Sequence, residues 1–258
     1  MSSFSKNSKR KQRKDYNINE FSHLAGNDFA YNNILSSCLY KVLKPIQPMA
    51  CNRSTYIRLQ NALYKAIRND RTHDLGSLRL GYGDVSDLKG FRFSPKTSLG
   101  KFFVNMPEAD FKEEKKSVEI RLSLKSLRKF ASVHERLSKL QIKIYCITIQ
   151  VNDRNDITVH ASKDLELLSD HNRKERAILF PLKDSEHTVI LCLATVRSWL
   201  STLDGVEQFL SNDTTLMTAE VIDVMLIRDG KHMRFPKEDA KDISPPPILS
   251  DDDEIDWD

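Results

Sequence analysis

The chain is short of glycine and proline, with 8 and 9 residues in 258. That scarcity excludes collagen-like and low-complexity architectures. Its 4 cysteines, Cys38, Cys51, Cys146 and Cys192, lie far apart and form no C-x-x-C pair. A disulfide-stapled scaffold is excluded, zinc-ligand spacing is missing, and buried thiols are expected. No window approaches the roughly 18 uninterrupted apolar residues of a membrane-spanning helix. The basic start, MSSFSKNSKRKQRKDY, is not followed by an apolar core such as a secretory signal carries, so a cytoplasmic protein with no membrane partner is expected.

Reaction signatures are missing as well. There is no G-x-S-x-G elbow and no G-x-x-x-x-G-K-[ST] phosphate loop. Gly81-Tyr82-Gly83 is too short for a dinucleotide cradle. The seven histidines, His23, His73, His134, His160, His171, His187 and His232, are scattered, and none pairs with another at i, i+4. The expectation is a non-catalytic protein with no cofactor and no metal. An acid–base pair assembled in space stays open, because sequence cannot exclude one.

What the chain does have is charge, unevenly spread. Residues 1–80 carry 14 Lys/Arg against 5 Asp/Glu, while residues 238–258 carry 1 Lys against 9 acids. A basic head and an acidic tail can attract each other or each recruit a partner. Residues 1–16 read as a disordered arm bearing Lys6, Lys9, Arg10, Lys11, Arg13 and Lys14. Residues 236–258 read as a tail: Pro245, Pro246 and Pro247 preclude regular pairing, and the end, ILSDDDEIDWD, sets Ile255 and Trp257 among acids. Asp251 to Glu254 lack the glycine turn and ligand spacing of a calcium loop.

Two helical patterns follow the arm. Asn17, with Glu20 three residues on, predicts a capping box. Phe21, Leu24, Ala25, Leu35, Cys38, Leu39, Val42 and Leu43 repeat at helical spacing, with Gly26 and Asn27 as a candidate kink and Pro45 and Pro48 as the stop. Asn52 or Ser54 caps a second helix with the apolar stripe Tyr56, Leu59, Leu63 and Ile67. Arg58, Lys65 and Arg68 fall largely opposite. The short connection predicts an antiparallel pair over 17–74.

From Asp74 onward the texture is β. Asp87 to Pro95 reads as a turn and a short strand, and Lys101 to Val104 as another. Val118 to Leu124 alternates apolar with polar. Leu140 to Val151 is the best central strand, joined by Ile157 to His160, Ala177 to Leu182, Thr188 to Val196 and Glu220 to Ile227. KSLRKFASVHERLSKL, after SVEIRLSL, reads as a connecting helix with His134 on its stripe. A ribbon-helix-helix module, which would aim Glu119, Arg121 and Ser123 at a DNA groove, needs a second helix; a β run starts at about Leu140 instead. The fold class predicted is α+β: a helical hairpin packed on a mainly antiparallel β sandwich over 75–235.

The order of these features resembles that of a family of uncharacterised bacterial proteins, mostly from Bacteroidetes. The residues carrying it are Arg13 with Asn19, Glu20 and Phe21; Arg58, Leu59, Leu63, Lys65 and Asp70 in an R-L-x-x-x-L-x-K helix ending in Asp; and Leu88, Gly90, Phe91 and Phe93 in an L-x-G-F-x-F turn. Two later apolar strands, Leu140 to Val151 and Thr188 to Val196, also fall in place. The resemblance implies a helical N-terminal region and a β-rich C-terminal domain, and no activity.

Two functions are then in view. The first is a structural or protein-interaction role, with a protein partner or a second copy engaged and Asp253, Glu254, Ile255 and Trp257 as the candidate partner-binding tail. The second is nucleic-acid binding through phosphate contacts from Lys9, Arg10, Lys11, Arg13, Lys14, Arg58, Lys65 and Arg68.

Overall fold

The computed structural model describes residues 19–47, 51–152, 156–168, 174–183 and 186–235. The basic arm and the acidic tail, with their candidate contacts, lie outside the described residues.

Helix α1 spans Glu20–Leu43 and α2 spans Arg53–Arg68. Asn19, not Asn17, caps α1, its side chain accepting from Ser22 N at 2.8 Å. Asn52 caps α2 through Thr55 N at 3.0 Å. Gly26 does not divide α1, which runs unbroken through it. The buried face of α1 is Asp28, Asn32, Leu35, Ser36, Leu39 and Leu43. It is turned away from Cys38, which is exposed, contrary to the expected buried thiol. The polar members of that face are satisfied. Asp28 accepts from Gly76 N and Leu78 N, both at 2.9 Å, and Asn32 donates to the carbonyl of Gln60 at 3.1 Å. Most buried polar groups in folded proteins are bonded in this way.

Among the described residues ten strands make two sheets. β1 (Glu108–Lys112), β2 (Ser117–Ser123) and β6 (Glu175–Pro181) form a small sheet in the order β1-β2-β6. The large sheet runs β10-β9-β7-β3-β4, from Lys231–Met233, Thr218–Arg228, His187–Ser201, Leu137–Gln150 and Ile157–Ala161. β5 (Leu165–Leu168) also pairs with β3, and β8 (Gln208–Leu210) with β7. All pairings are antiparallel.

The large sheet is the middle of three layers. Ile142, Ile144, Cys146, Ile190, Cys192 and Ala194 pack with Val118, Ile120, Leu122 and Phe180 of the small sheet. Ile147, Ile149, Val189, Leu191 and Leu193 pack with Leu35, Leu39, Leu59, Leu63 and Ile67 of the helices. Burial on both faces explains why the β3 and β7 runs are so continuously apolar. In β9, Leu193 faces Val221 but Cys192 faces Asp223, so Ile222 is an extra residue. This bulge flips the side-chain parity, sending Ala219 and Val221 and then Leu226 to the helix side.

Three local expectations are corrected. Lys101 to Val104 is no strand: a 3₁₀ turn, Leu99–Lys101, leads into a single bridge from Phe103 to Leu127. The connecting helix after Leu124 shrinks to α3, Phe130–Val133, because β3 already begins at Leu137, opposite Leu200. His134 lies just past α3 and, through Nδ1, accepts from Arg136 N at 3.2 Å. Glu119 and Arg121 lie on the middle strand of the small sheet, beside Lys112 at 3.3 Å and Glu108 at 4.0 Å.

Candidate functional site

The sandwich is open on one side. Among the described residues β6 hydrogen-bonds only to β2, and β4 and β5 only to β3, so strand edges of both sheets left unpaired by those residues face the same gap. Between them lies a groove of about 770 Å³ lined by residues 159–165 and 176–181. Pairing registers set which side chains point inward. His160 stands opposite Cys146, and Leu165 opposite Ile142, both core-facing positions. On β6, Ile178 is opposite Ile120 and shares its face with Arg176 and Phe180. The floor is therefore apolar, formed by Leu165, Ile178 and Phe180, and the walls carry His160 and Arg176.

The rim is locked by the step from β4 to β5. Ser162 N donates to the carbonyl of Ile144 at 2.8 Å, and Ile144 N donates to Ser162 Oγ at 3.1 Å. Asp164 accepts from Lys143 Nζ at 3.0 Å and from Gln141 Nε2 at 2.9 Å. That hydrogen bond raises the Lys143 ammonium above its ordinary range. With Asp164 engaged, exposed Lys163 and Arg176 give the groove a cationic margin. Leu179, on the outward face of the edge strand, is 54% exposed beside Ala177 and Pro181. An edge strand apolar on both faces is a surface that proteins normally cover or pair.

Of the expected nucleic-acid contacts, Lys65 and Arg68 are exposed on α2. Arg58 is engaged elsewhere: its guanidinium donates to the carbonyls of Arg92 at 2.6 Å and Phe93 at 2.7 Å and lies 5.5 Å over the Phe91 ring. Desolvation, then the nearby Arg92 charge, lowers its pKa from the usual value.

The structure does bring one carboxylate and one histidine together. Asp70, buried at the end of α2, accepts from Thr72 N at 2.7 Å, His73 N at 3.1 Å and Arg79 N at 2.8 Å, and contacts His73 Nδ1 at 2.8 Å. Burial alone would push its carboxyl up. The three backbone donors and His73 outweigh that and hold it below the usual carboxylate range. The contact orients the His73 ring with Nδ1 toward the carboxylate, on a side chain 33% exposed. Tyr82 stands edge-on between His73 and His187, at 4.4 and 4.7 Å. His187 Nε2 reaches the carbonyl of Gly81 at 2.7 Å. Asp70 is thus tied mainly to loop main chain. Among the described residues no group of three or more His, Cys, Asp or Glu side chains is placed to hold a metal, and no helix is long and apolar enough to cross a membrane.

The groove residues His160, Lys163, Leu165, Arg176 and Ile178 were not among the sequence-derived candidates. A signal existed in the run Ala177 to Leu182, which alternates no polar face. No protein-family model, no curated protein and no solved structure matches the chain.

Proposed function

We propose that this chain is a non-catalytic interaction protein and that the groove between β4/β5 and β6 is where it takes a protein partner. One observation carries the reading: two strand edges, unpaired among the described residues, converge on an apolar-floored groove with a cationic rim. A segment laid there gains main-chain hydrogen bonds from the edges and apolar burial from the floor, as in strand-addition complexes. The groove, at about 770 Å³, is large enough for several side chains. The acidic tail, with Ile255 and Trp257, remains a second handle for a partner. A cytoplasmic setting suits the free thiols.

The test is capture from the native host with the full chain, comparing wild type with Lys163→Glu/Arg176→Glu and with Ile255→Ser/Trp257→Ser. Loss of the captured protein in the first variant is the expected result. Retention there, with loss only in the second, assigns the role to the tail instead.

A second reading, nucleic-acid binding, draws support from α2. Its sequence RSTYIRLQNALYKAIR has four cationic side chains and no acid, and Arg53, Lys65 and Arg68 are exposed. Binding of this kind weakens steeply with salt. A gel-shift series at two salt concentrations, with Lys65→Gln/Arg68→Gln alongside, separates the readings.

The family resemblance is likewise a proposal. Its support is that two of the motifs meet in space: Arg58 of the R-L-x-x-x-L-x-K helix holds the main chain of the L-x-G-F-x-F turn.

A further inference from the structure

At the edge of the large sheet away from β4 and β5, β7 and β8 form a hairpin whose loop, residues 202–207, carries the most exposed aliphatic side chains of the described fold. Leu203 is 91% exposed and Val206 79%. The loop is nevertheless closely bonded. Thr202 N donates to the carbonyl of Glu207 at 2.9 Å and Gly205 N to that of Thr202 at 3.0 Å. Val206 N donates to Asp204 Oδ1 at 3.1 Å, Glu207 N donates to Thr202 Oγ1 at 3.0 Å, and the Thr202 hydroxyl donates to the Asp204 carboxylate. Gly205, at φ +75°, supplies the left-handed turn that the others avoid. Five consecutive residues, Leu203-Asp204-Gly205-Val206-Glu207, therefore form a firm knob with two aliphatic groups and two carboxylates.

That chemistry is the complement of the groove, whose floor is Leu165, Ile178 and Phe180 and whose margin is His160, Lys163 and Arg176. We propose that the β7–β8 knob of one copy seats in the β4/β5–β6 groove of a second copy. The inference rests on the groove being an interaction site. Leu203 and Val206 meet the apolar floor, and Asp204 and Glu207 face Lys163 and Arg176. The same two acids disfavour an anionic lipid surface as the partner of the exposed Leu203 and Val206. β8 lies beyond β7, while β4 and β5 lie beyond β3, so knob and groove occupy opposite edges of one sheet and a molecule does not fill its own groove. Contact is then head-to-tail, and a pair so joined keeps one free knob and one free groove, to which further copies can add. So small a contact is weak, with a Kd on the order of 10–100 µM.

Sedimentation velocity of the full chain across a concentration series up to a few hundred micromolar tests this, the range following from that Kd. The wild type is expected to grow past a dimer as concentration rises. A knob variant, Leu203→Asp/Val206→Asp, and a groove variant, Lys163→Glu/Arg176→Glu, are each expected to stay monomeric. Mixed at equal concentration they are expected to stop at a heterodimer, because only one intact knob and one intact groove remain. All four positions are exposed, and a circular dichroism melt checks that the variants keep the fold. A wild type that is monomeric throughout overturns the inference. If the groove variant still loses captured protein in host extracts, the broader interaction reading survives; if capture is unchanged too, both fall. Assembly that survives the knob variant but is lost in Ile255→Ser/Trp257→Ser also overturns it, by making the tail the occupant.

Discussion

The guanidinium of Arg58 donates to the carbonyl oxygen of Phe93 at 2.7 Å, joining the first turns of α2 to a segment that runs along the edge of β9. Thr55 Oγ1 donates to the same oxygen at 3.0 Å. The segment itself is bonded to β9 through Gly90 N to Val221 O, Val221 N to Phe91 O and Phe93 N to Ala219 O, at 2.8 to 3.0 Å. Among the described residues β10 pairs with the far end of β9, at Leu226 to Arg228, and this segment covers the near end, at Ala219 to Val221.

Arg58→Ala should therefore cost about 2 kcal/mol, the scale for removing a charged donor from partly buried carbonyls. Arg58→Lys should recover little, because one ammonium cannot bridge the Arg92 and Phe93 carbonyls as a planar fork does. Urea unfolding of the two variants measures both effects.

Much of this frame was legible in the sequence. The three long strands and both helices show as β-branched runs and as apolar stripes, with the Asn52 cap of α2 also readable, whereas the cap of α1 is Asn19 and not Asn17. What was not legible depended on distant partners. The apolar stripe of α1 suggested Cys38 as buried. The true face turns toward Asp28, Asn32 and Ser36, because the loop at Gly76 to Leu78 supplies two N–H groups to Asp28. The strands β1, β5, β8 and β10 are short edges, 3 to 5 residues long, and are held by register with longer neighbours. The groove is less visible still, since β4 and β6 meet across it only after the two sheets have stacked.

Acid sensitivity should centre on Asp70. Its folded pKa lies below the unfolded value of about 3.9. Its contribution is present in full above that value and is lost as pH falls through the lower folded value. Asp70→Ala strands three backbone donors and should cost roughly 3 kcal/mol at pH 7, and the variant's melting temperature should fall less than the wild type's between pH 5 and pH 3. Thermal melts across that range check the sign.

The cysteines should react in order of access. Cys38 is exposed. Half-buried Cys51 has its thiol pushed up to about 11 by burial, against the opposing Lys44 charge. Cys146 and Cys192 are register partners inside the core, the first pushed up to about 12 and the second well above its ordinary value, both by burial. A thiol-specific reagent at pH 8 should modify Cys38 quickly and Cys51 slowly. It should reach the other two only after denaturation, as peptide mapping of the modified chain would reveal.

Two glycines should respond in opposite directions. A Cβ on Gly83 would overlap the main-chain carbonyl of Asn69, so Gly83→Ala should prevent folding or cost more than about 4 kcal/mol. Gly26, inside α1, has nothing within 4 Å of a built Cβ, and Gly26→Ala should stabilise by about 0.5–1 kcal/mol. Expression yield and urea midpoints distinguish the two.

The open side of the sandwich as the interaction surface is tested most directly by a photo-crosslinking residue placed at Lys163 in the full chain in living cells, with the same residue at Lys65 on α2 as the comparison. A discrete protein adduct from position 163 and none from position 65 is the predicted result. Adducts to nucleic acid from position 65, with none of any kind from position 163, would contradict it.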